Sequence, residues 1–323
     1  MYRLPFKSSL GPPAEAGAQR EKPAPHSINR FAAGAFARAA RGAPSCWEQQ
    51  MKALDTLART TREQGLRAAS VKVFTRAIGA KEGIPAAKEK VLKHLLRLHG
   101  ERVAYGRFKG LKIRKDVWWG RYSLSSKILG VYEEHVLDAL FDLQPSVNGP
   151  FVDIGAADGY FAIGAVVSGL CDTVYAYEIS EKGRERLASN AAANGCAGKV
   201  RIEAEANFES LSALMKKHEQ ALLLIDIEGC EFDLLDERML DLLKSCSLIV
   251  ELHPWMAENG YEKQRRLIDM AKAKFNARLI EREVYAPNQF EELKEFSDDE
   301  RLLALSEGRE KNMQWLVMTP KMS

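Results

Sequence analysis

Phe151-Val-Asp-Ile-Gly-Ala-Ala-Asp-Gly-Tyr160 is the stretch on which the fold turns. Apolar and acidic strand-type residues run into a turn carrying Gly155 and Gly159, and an apolar helical pattern follows to Val167. Strand, tight turn and helix in that order make a nucleotide-binding corner. Glycine belongs where backbone takes a positive φ or must approach a ligand closely. The spacing departs from G-x-G-x-x-G, because only two of the glycines are present. Charge then separates the ligand classes. Asp153 lies at the end of the strand and Asp158 where the helix begins. A dinucleotide pyrophosphate is held by exposed backbone N–H groups and the positive end of that helix. A carboxylate at this entrance repels phosphate, and it suits a cationic ligand without phosphate.

Working outward, strand and helix patterns alternate. Strands are expected near Phe151–Ile154, Thr173–Tyr177, Val200–Ala204, Leu222–Asp226, Leu248–Leu252, Arg278–Val284 and Trp315–Met318. Helices are expected near Tyr132–Leu143, ahead of the sheet, and then near Gly159–Val167, Ser180–Ala193, Glu209–Lys217, Glu231–Leu243 and Glu262–Ala273. This period predicts an α/β fold, a doubly wound, mostly parallel seven-stranded sheet with helices on both faces. The last strand follows a long connection, Tyr285 to Met313, and is expected as an antiparallel edge strand.

In such a sheet the ligand binds at the carboxyl ends of the strands. The first strand then nominates Asp153, Gly155, Ala156, Asp158 and Gly159. The second ends at Glu178, at a distance where an acid accepts ribose hydroxyls or simply caps a helix. The third runs into Asn207, which either bonds an adenine edge or caps the next helix. The fourth ends in Leu224-Ile-Asp-Ile-Glu-Gly-Cys-Glu231, placing Asp226, Glu228 and Glu231 around one strand tip. The fifth ends in Val250-Glu-Leu-His-Pro254, where alternation sets Glu251 and His253 on one face and Leu252 on the other. Asp226, Glu228, Glu251 and His253 make a general-base cluster or a weak oxygen-rich metal site. No ligand spacing is diagnostic, so no metal is assigned. S-adenosylmethionine, with a sulfonium and an ammonium group, suits the acidic corner; NAD does not.

The chain before the sheet differs in character. Up to Asp116 there are 24 Lys+Arg against 9 Asp+Glu; from Val117 on there are 23 against 35. That asymmetry reads either as a basic arm for nucleic acid or as solvated basic helices docked on an acidic half. Residues 1–45 are Pro-, Ala- and Arg-rich and read as a disordered basic leader, with a transit peptide as the other reading. Residues 46–116 are expected to form a helical region ending in a short hairpin, with helices over Trp47–Ile78 and from Pro85 to Leu98. Residues 117–323 form the sheet domain. Five cysteines without C-x-x-C spacing indicate neither a zinc site nor a disulfide framework, and with no run of ~18–20 apolar residues they suggest a cytoplasmic protein.

Taken together, Asp153-Ile-Gly-Ala-Ala-Asp-Gly159, Tyr177-Glu178, Ile225-Asp-Ile-Glu-Gly-x-Glu231 and Val250-Glu-Leu-His253 resemble the FkbM-type class I S-adenosylmethionine-dependent methyltransferases. Upstream, Leu129-Gly-Val-Tyr-Glu133 is similar to that family's entry segment. The resemblance covers roughly Lys127 to Met318. It implies a Rossmann-like methyltransferase fold and O-methylation of a sugar or small-molecule hydroxyl. It also implies cofactor contacts at Asp153, Gly155, Gly159 and Glu178, with Asp226 and Glu228 on the reaction side. Leu224 stands where the family often has a lysine. The competing readings are an RNA- or DNA-directed methyltransferase using the basic N-terminal half, and a non-catalytic S-adenosylmethionine-binding protein.

Overall fold

The computed structural model describes residues 84–116, 121–282, 286–309 and 311–321. The leader and the Trp47–Ile78 helix lie outside the described residues.

The first described element, α1 (Ile84–His99), carries Pro85 in its first turn, and Gly100 follows it at φ 64°. The expected hairpin reduces to a single antiparallel bridge, Arg102 to Lys112. Two short helices then precede the sheet, α2 (Leu124–Leu129) and α3 (Glu134–Leu143). Strands and helices alternate from there: β1 (Phe151–Ile154), α4 (Tyr160–Val167), β2 (Val174–Tyr177), α5 (Glu181–Ala193), β3 (Val200–Glu203), α6 (Phe208–Met215) and β4 (Leu222–Ile225). Next come α7 (Glu231–Leu234), α8 (Glu237–Leu242), β5 (Ser247–Leu252), α9 (Gly260–Lys274), β6 (Phe275–Glu281), α10 (Asp298–Leu305) and β7 (Gln314–Pro320). The single helix expected over Glu231–Leu243 is two, because Asp236 caps a new one by accepting from the Met239 N–H.

The sheet order is β3-β2-β1-β4-β5-β7-β6. The first five strands pair in parallel, and β7 runs antiparallel to both β5 and β6. This is a Rossmann-like doubly wound sheet with its order reversing between β1 and β4. The last strand is antiparallel as expected, but it is not at the edge. It inserts between β5 and β6, and β6 takes the edge. The residues agree with that order: β7 is buried at Trp315, Leu316, Val317 and Met318, whereas β6 is exposed along much of its length.

Period-2 alternation divides the core between the two faces. Phe151, Leu222, Leu224 and Ile249 pack with α3, α4 and α5 side chains such as Leu140, Ile163 and Leu187. Val152, Leu223, Ile225 and Val250 pack with Leu211, Met239 and Leu267 of α6, α8 and α9. A third cluster joins Val91, Leu92 and Leu95 of α1 to Ile128 of α2 and to Leu293, Ala304 and Leu305 beside and within α10. The segment before residue 117 therefore shares a core with the end of the chain. Among the described cysteines, Cys171, Cys196 and Cys246 are free.

Candidate active site

The β1–α4 turn is built by close contacts. Gly155 has φ 93°, and a Cβ there would lie 1.8 Å from the Asp226 carbonyl oxygen. Its glycine is thus required where the β1 and β4 ends meet. Gly159, at φ 90°, is the N-cap of α4 and supplies no side-chain cap. Asp153 compensates from the strand: the Ala162 N–H reaches its carboxylate, which is nearly fully buried. Burial, followed by Asp226, Glu178 and Glu133 as neighbouring negative charges, outweighs that bond and pushes the Asp153 pKa up to about 8. Its Oδ2 has no partner. Asp153 therefore sits beneath the turn, while Asp158 at the turn's outer side is half-buried and its carbonyl accepts from Asn190 Nδ2 at 2.8 Å.

The Gly155 and Ala156 N–H groups both donate to the Tyr177 carbonyl, at 2.9 and 3.0 Å. Glu178 Oε2 accepts from Ala157 N at 2.8 Å and Oε1 from Ser180 N at 2.7 Å, so this acid braces the turn and the start of α5. Each oxygen retains a lone pair for a further donor. Of the two readings for Asn207, the structure has the helix cap: its side chain accepts from Ser210 N, and Ser210 Oγ accepts from Asn207 N, closing a capping box.

Strand tips β4 and β5 bring the remaining candidates together. His253 Nε2 lies 3.7 Å from Asp226 Oδ1, 3.7 Å from Glu228 Oε2 and 3.6 Å from Glu251 Oε1. On the other side of the ring, Nδ1 lies 3.6 Å from Glu231 Oε1. The same Glu231 oxygen accepts the His253 N–H at 2.6 Å, and its Oε2 accepts from Gly229 N at 2.8 Å. The imidazole is 4% exposed, whereas Asp226 and Glu228 are 32% and 40% exposed and form the open lip. Glu228 holds φ 53°, a strained backbone for a non-glycine residue. Burial pulls the His253 pKa down, but Glu231, Asp226 and Glu228 outweigh it and the net shift is upward. Burial, then the Asp226 charge, raises Glu228 as well.

Two residues at this site, Arg309 and Glu307, are not among the sequence candidates, and Glu133 enters there only through the entry segment. Arg309 pairs with Glu251 through Nη1, with Glu133 through Nη2, and with Glu307 through Nε at 2.7 Å. All three carboxylates are buried. Burial nevertheless raises Glu133 to about 7. Glu231, which the sequence places only at the β4 tip, faces Nδ1 of His253. One ligand atom from each of Asp226, Glu251 and His253 lie within 4.8 Å of one another, close enough for a single cation, although Arg309 already offsets the Glu251 charge.

Solved structures with a similar course of chain include an O-methyltransferase from Bacillus cereus in complex with SAH. It is 13% identical, with 72% of this chain and 91% of that chain covered, at a TM-score of 0.42. The O-methyltransferase TomG from Streptomyces achromogenes, involved in tomaymycin synthesis and in complex with SAM, is 13% identical over 62% of this chain and 87% of its own, at 0.42. The B. subtilis M1A22 tRNA methyltransferase TrmK is 13% identical over 57% and 65%, at 0.37. No family model matches the chain, and no curated protein does. The fold rests on the strand order itself.

Carboxylates dominate the carboxyl edge of the sheet. Asp153 Oδ2 and Asp226 Oδ1 are buried without a hydrogen-bond partner. A ligand bringing positive charge or a donor suits Asp226, on the open lip, whereas Asp153 lies beneath the turn where burial favours its protonated form.

Proposed function

We propose that this protein is an S-adenosylmethionine-dependent methyltransferase of the FkbM type that methylates a hydroxyl of a sugar or other small molecule. One observation carries the reading. A buried imidazole is ringed by four carboxylates at 3.6–3.7 Å, at the tips of the two strands beyond the acid-flanked glycine turn. S-adenosylmethionine, when bound, supplies an electrophilic methyl group. The turn from Gly155 to Gly159, Glu178 and the acids facing it would hold the donor. Its positive groups would relieve the repulsion among those acids.

The chain's own residues then have two tasks. The first is positioning: holding acceptor and methyl in line can contribute roughly 7–11 kcal/mol. Asp226 and Glu228, on the open lip, are placed to orient a hydroxyl. The second is removal of the hydroxyl proton. His253 Nε2 faces the lip and takes it. Glu231 on the Nδ1 side keeps the ring turned and offsets the charge that develops. Glu251, held by Arg309, fixes the far wall. Sequence supports a hydroxyl acceptor over a base amine, since Asp226-Ile-Glu-Gly229 replaces the Asn/Asp-Pro-Pro-aromatic run of amino-directed enzymes.

Calorimetric titration tests the donor. S-adenosylmethionine is expected to bind and NAD to bind far more weakly; tighter NAD binding overturns the proposal. A labelled-methyl screen over sugars, small hydroxylated metabolites and RNA then tests the acceptor, and transfer to RNA alone would reject the hydroxyl small-molecule assignment.

A further inference from the structure

Lys127 occupies an unusual position. It lies in α2 and is 7% exposed, yet no carboxylate or other hydrogen-bond acceptor among the described residues pairs with its Nζ. Its ammonium faces two aromatic rings, 4.6 Å from the centre of Tyr132 and 5.1 Å from that of Tyr160. The ring faces attract the ammonium but leave its charge without an anion among the described residues. Beside it, the Tyr160 hydroxyl is buried and has no partner. Tyr160 is the first residue of α4, directly after Gly159. Lys127 and Tyr160 line one small cleft with Asp158, Gly159 and Asn190.

An ammonium without an anion and a hydroxyl without a partner therefore adjoin the turn that would hold the methyl donor. Other cations near that cleft are committed. Lys112 donates to the Ala193 carbonyl and Arg114 pairs with Asp116. On the reaction side, Arg309 is shared among Glu133, Glu251 and Glu307. S-adenosylmethionine carries an ammonium and a sulfonium, which the acids of the sheet edge suit, and one carboxylate, which they repel. We propose that Lys127, with the Tyr160 hydroxyl, is the subsite for the carboxylate at the amino-acid end of the donor. This rests on the S-adenosylmethionine reading above and makes Lys127 a binding residue that fixes the end of the donor remote from the methyl group.

The test compares S-adenosylmethionine with its decarboxylated analogue, which keeps the sulfonium, ammonium and adenosine and lacks only the carboxylate. Calorimetry is run on the full chain, wild type and Lys127→Met, with melting curves confirming the fold. Wild type is expected to prefer S-adenosylmethionine. Lys127→Met is expected to weaken it roughly 10- to 100-fold, as loss of a charge-assisted hydrogen bond does, and to leave the analogue within about twofold. Tyr160→Phe keeps the ring and is expected to show a smaller loss for the same ligand only, so a misfolded lysine variant does not end the test. Equal weakening of both ligands, or no change in either, overturns the subsite. Wild type that binds neither ligand overturns the donor reading, and the subsite with it.

Discussion

Burial alone would make the His253 imidazole harder to protonate, yet the acids around it reverse the shift and raise its pKa. A base must be neutral to accept a proton, so the acid limb of the activity profile should lie above the ordinary histidine value of about 6.5. Glu228 is the most exposed of the contributing acids, and Glu228→Gln removes one charge that holds the proton on the ring. The limb is therefore expected to move to lower pH, by about half to one unit. His253→Ala is expected to lower turnover about 10²- to 10⁴-fold with donor affinity nearly intact. Turnover against pH for wild type and both variants checks this; a limb that stays fixed in Glu228→Gln, or unchanged turnover in His253→Ala, removes His253 from the chemistry. The reacting cluster was legible because strand-tip placement and period-2 alternation need only local sequence. The pairing of Arg309 with Glu133, Glu251 and Glu307 was not, because these acids come from three distant segments and nothing in the spacing of any one of them announces the others.

At the scale of the element, α4 starts without a cap of its own. Gly159 gives the turn its φ, and Asp153 of β1 supplies the acceptor for the Ala162 N–H. The arrangement places a carboxyl where burial favours its protonated form. A folded-state pKa raised to about 8 means that the native state holds the proton more tightly than the unfolded chain, where the group titrates near 3.8. Stability from this group is complete below about pH 4 and is lost as pH rises to about 8, a loss on the order of a few kcal/mol. Glu133, raised to about 7, acts in the same direction over a narrower window. Asp153→Asn keeps an acceptor for Ala162 and cannot ionise. Its melting temperature is expected to fall less between pH 5 and pH 8 than that of wild type; parallel curves would show that Asp153 does not titrate there. The parallel strands and their helices were readable because each strand is a short apolar run ended by a turn or cap residue, Gly159 before α4, Ser180 before α5 and Asn207 before α6. Two elements were missed. Helix α2 is six residues long, too short for helical periodicity to show, and α10 lies in the connection before β7. The insertion of β7 between β5 and β6 is a matter of pairing across the sheet, which spacing along the chain does not encode.

At the scale of the whole molecule, the first described helix and the last one jointly support the reaction side. Lys90 of α1 pairs with Glu300 of α10 at 2.7 Å, and Lys88 Nζ donates to the Ser306 carbonyl at 2.7 Å, where α10 ends. Lysine at a helix C-terminus is favoured by the exposed carbonyls there. Three residues beyond Ser306 comes Arg309, which joins Glu133 to Glu251. The apolar cluster of Val91, Leu92 and Leu95 with Ile128, Ala304 and Leu305 therefore anchors the segment that holds one wall of the His253 site. Leu95 is fully buried at the centre of that contact. Leu95→Ala leaves a cavity and is expected to cost about 2–5 kcal/mol. The loss should not be confined to stability. If α10 loosens on α1, Glu307 and Arg309 shift with it, while the β1–α4 turn, on the other side of β4, keeps its contacts with Tyr177 and Asp226. Methyl transfer at saturating donor is then expected to fall further than donor affinity in Leu95→Ala, measured below its melting temperature. Leu187→Ala, equally buried but packed on the turn side beneath Gly159, is the control and is expected to weaken donor binding instead. Matching losses of turnover and affinity in both variants would show that the two halves of the site do not depend on separate parts of the core.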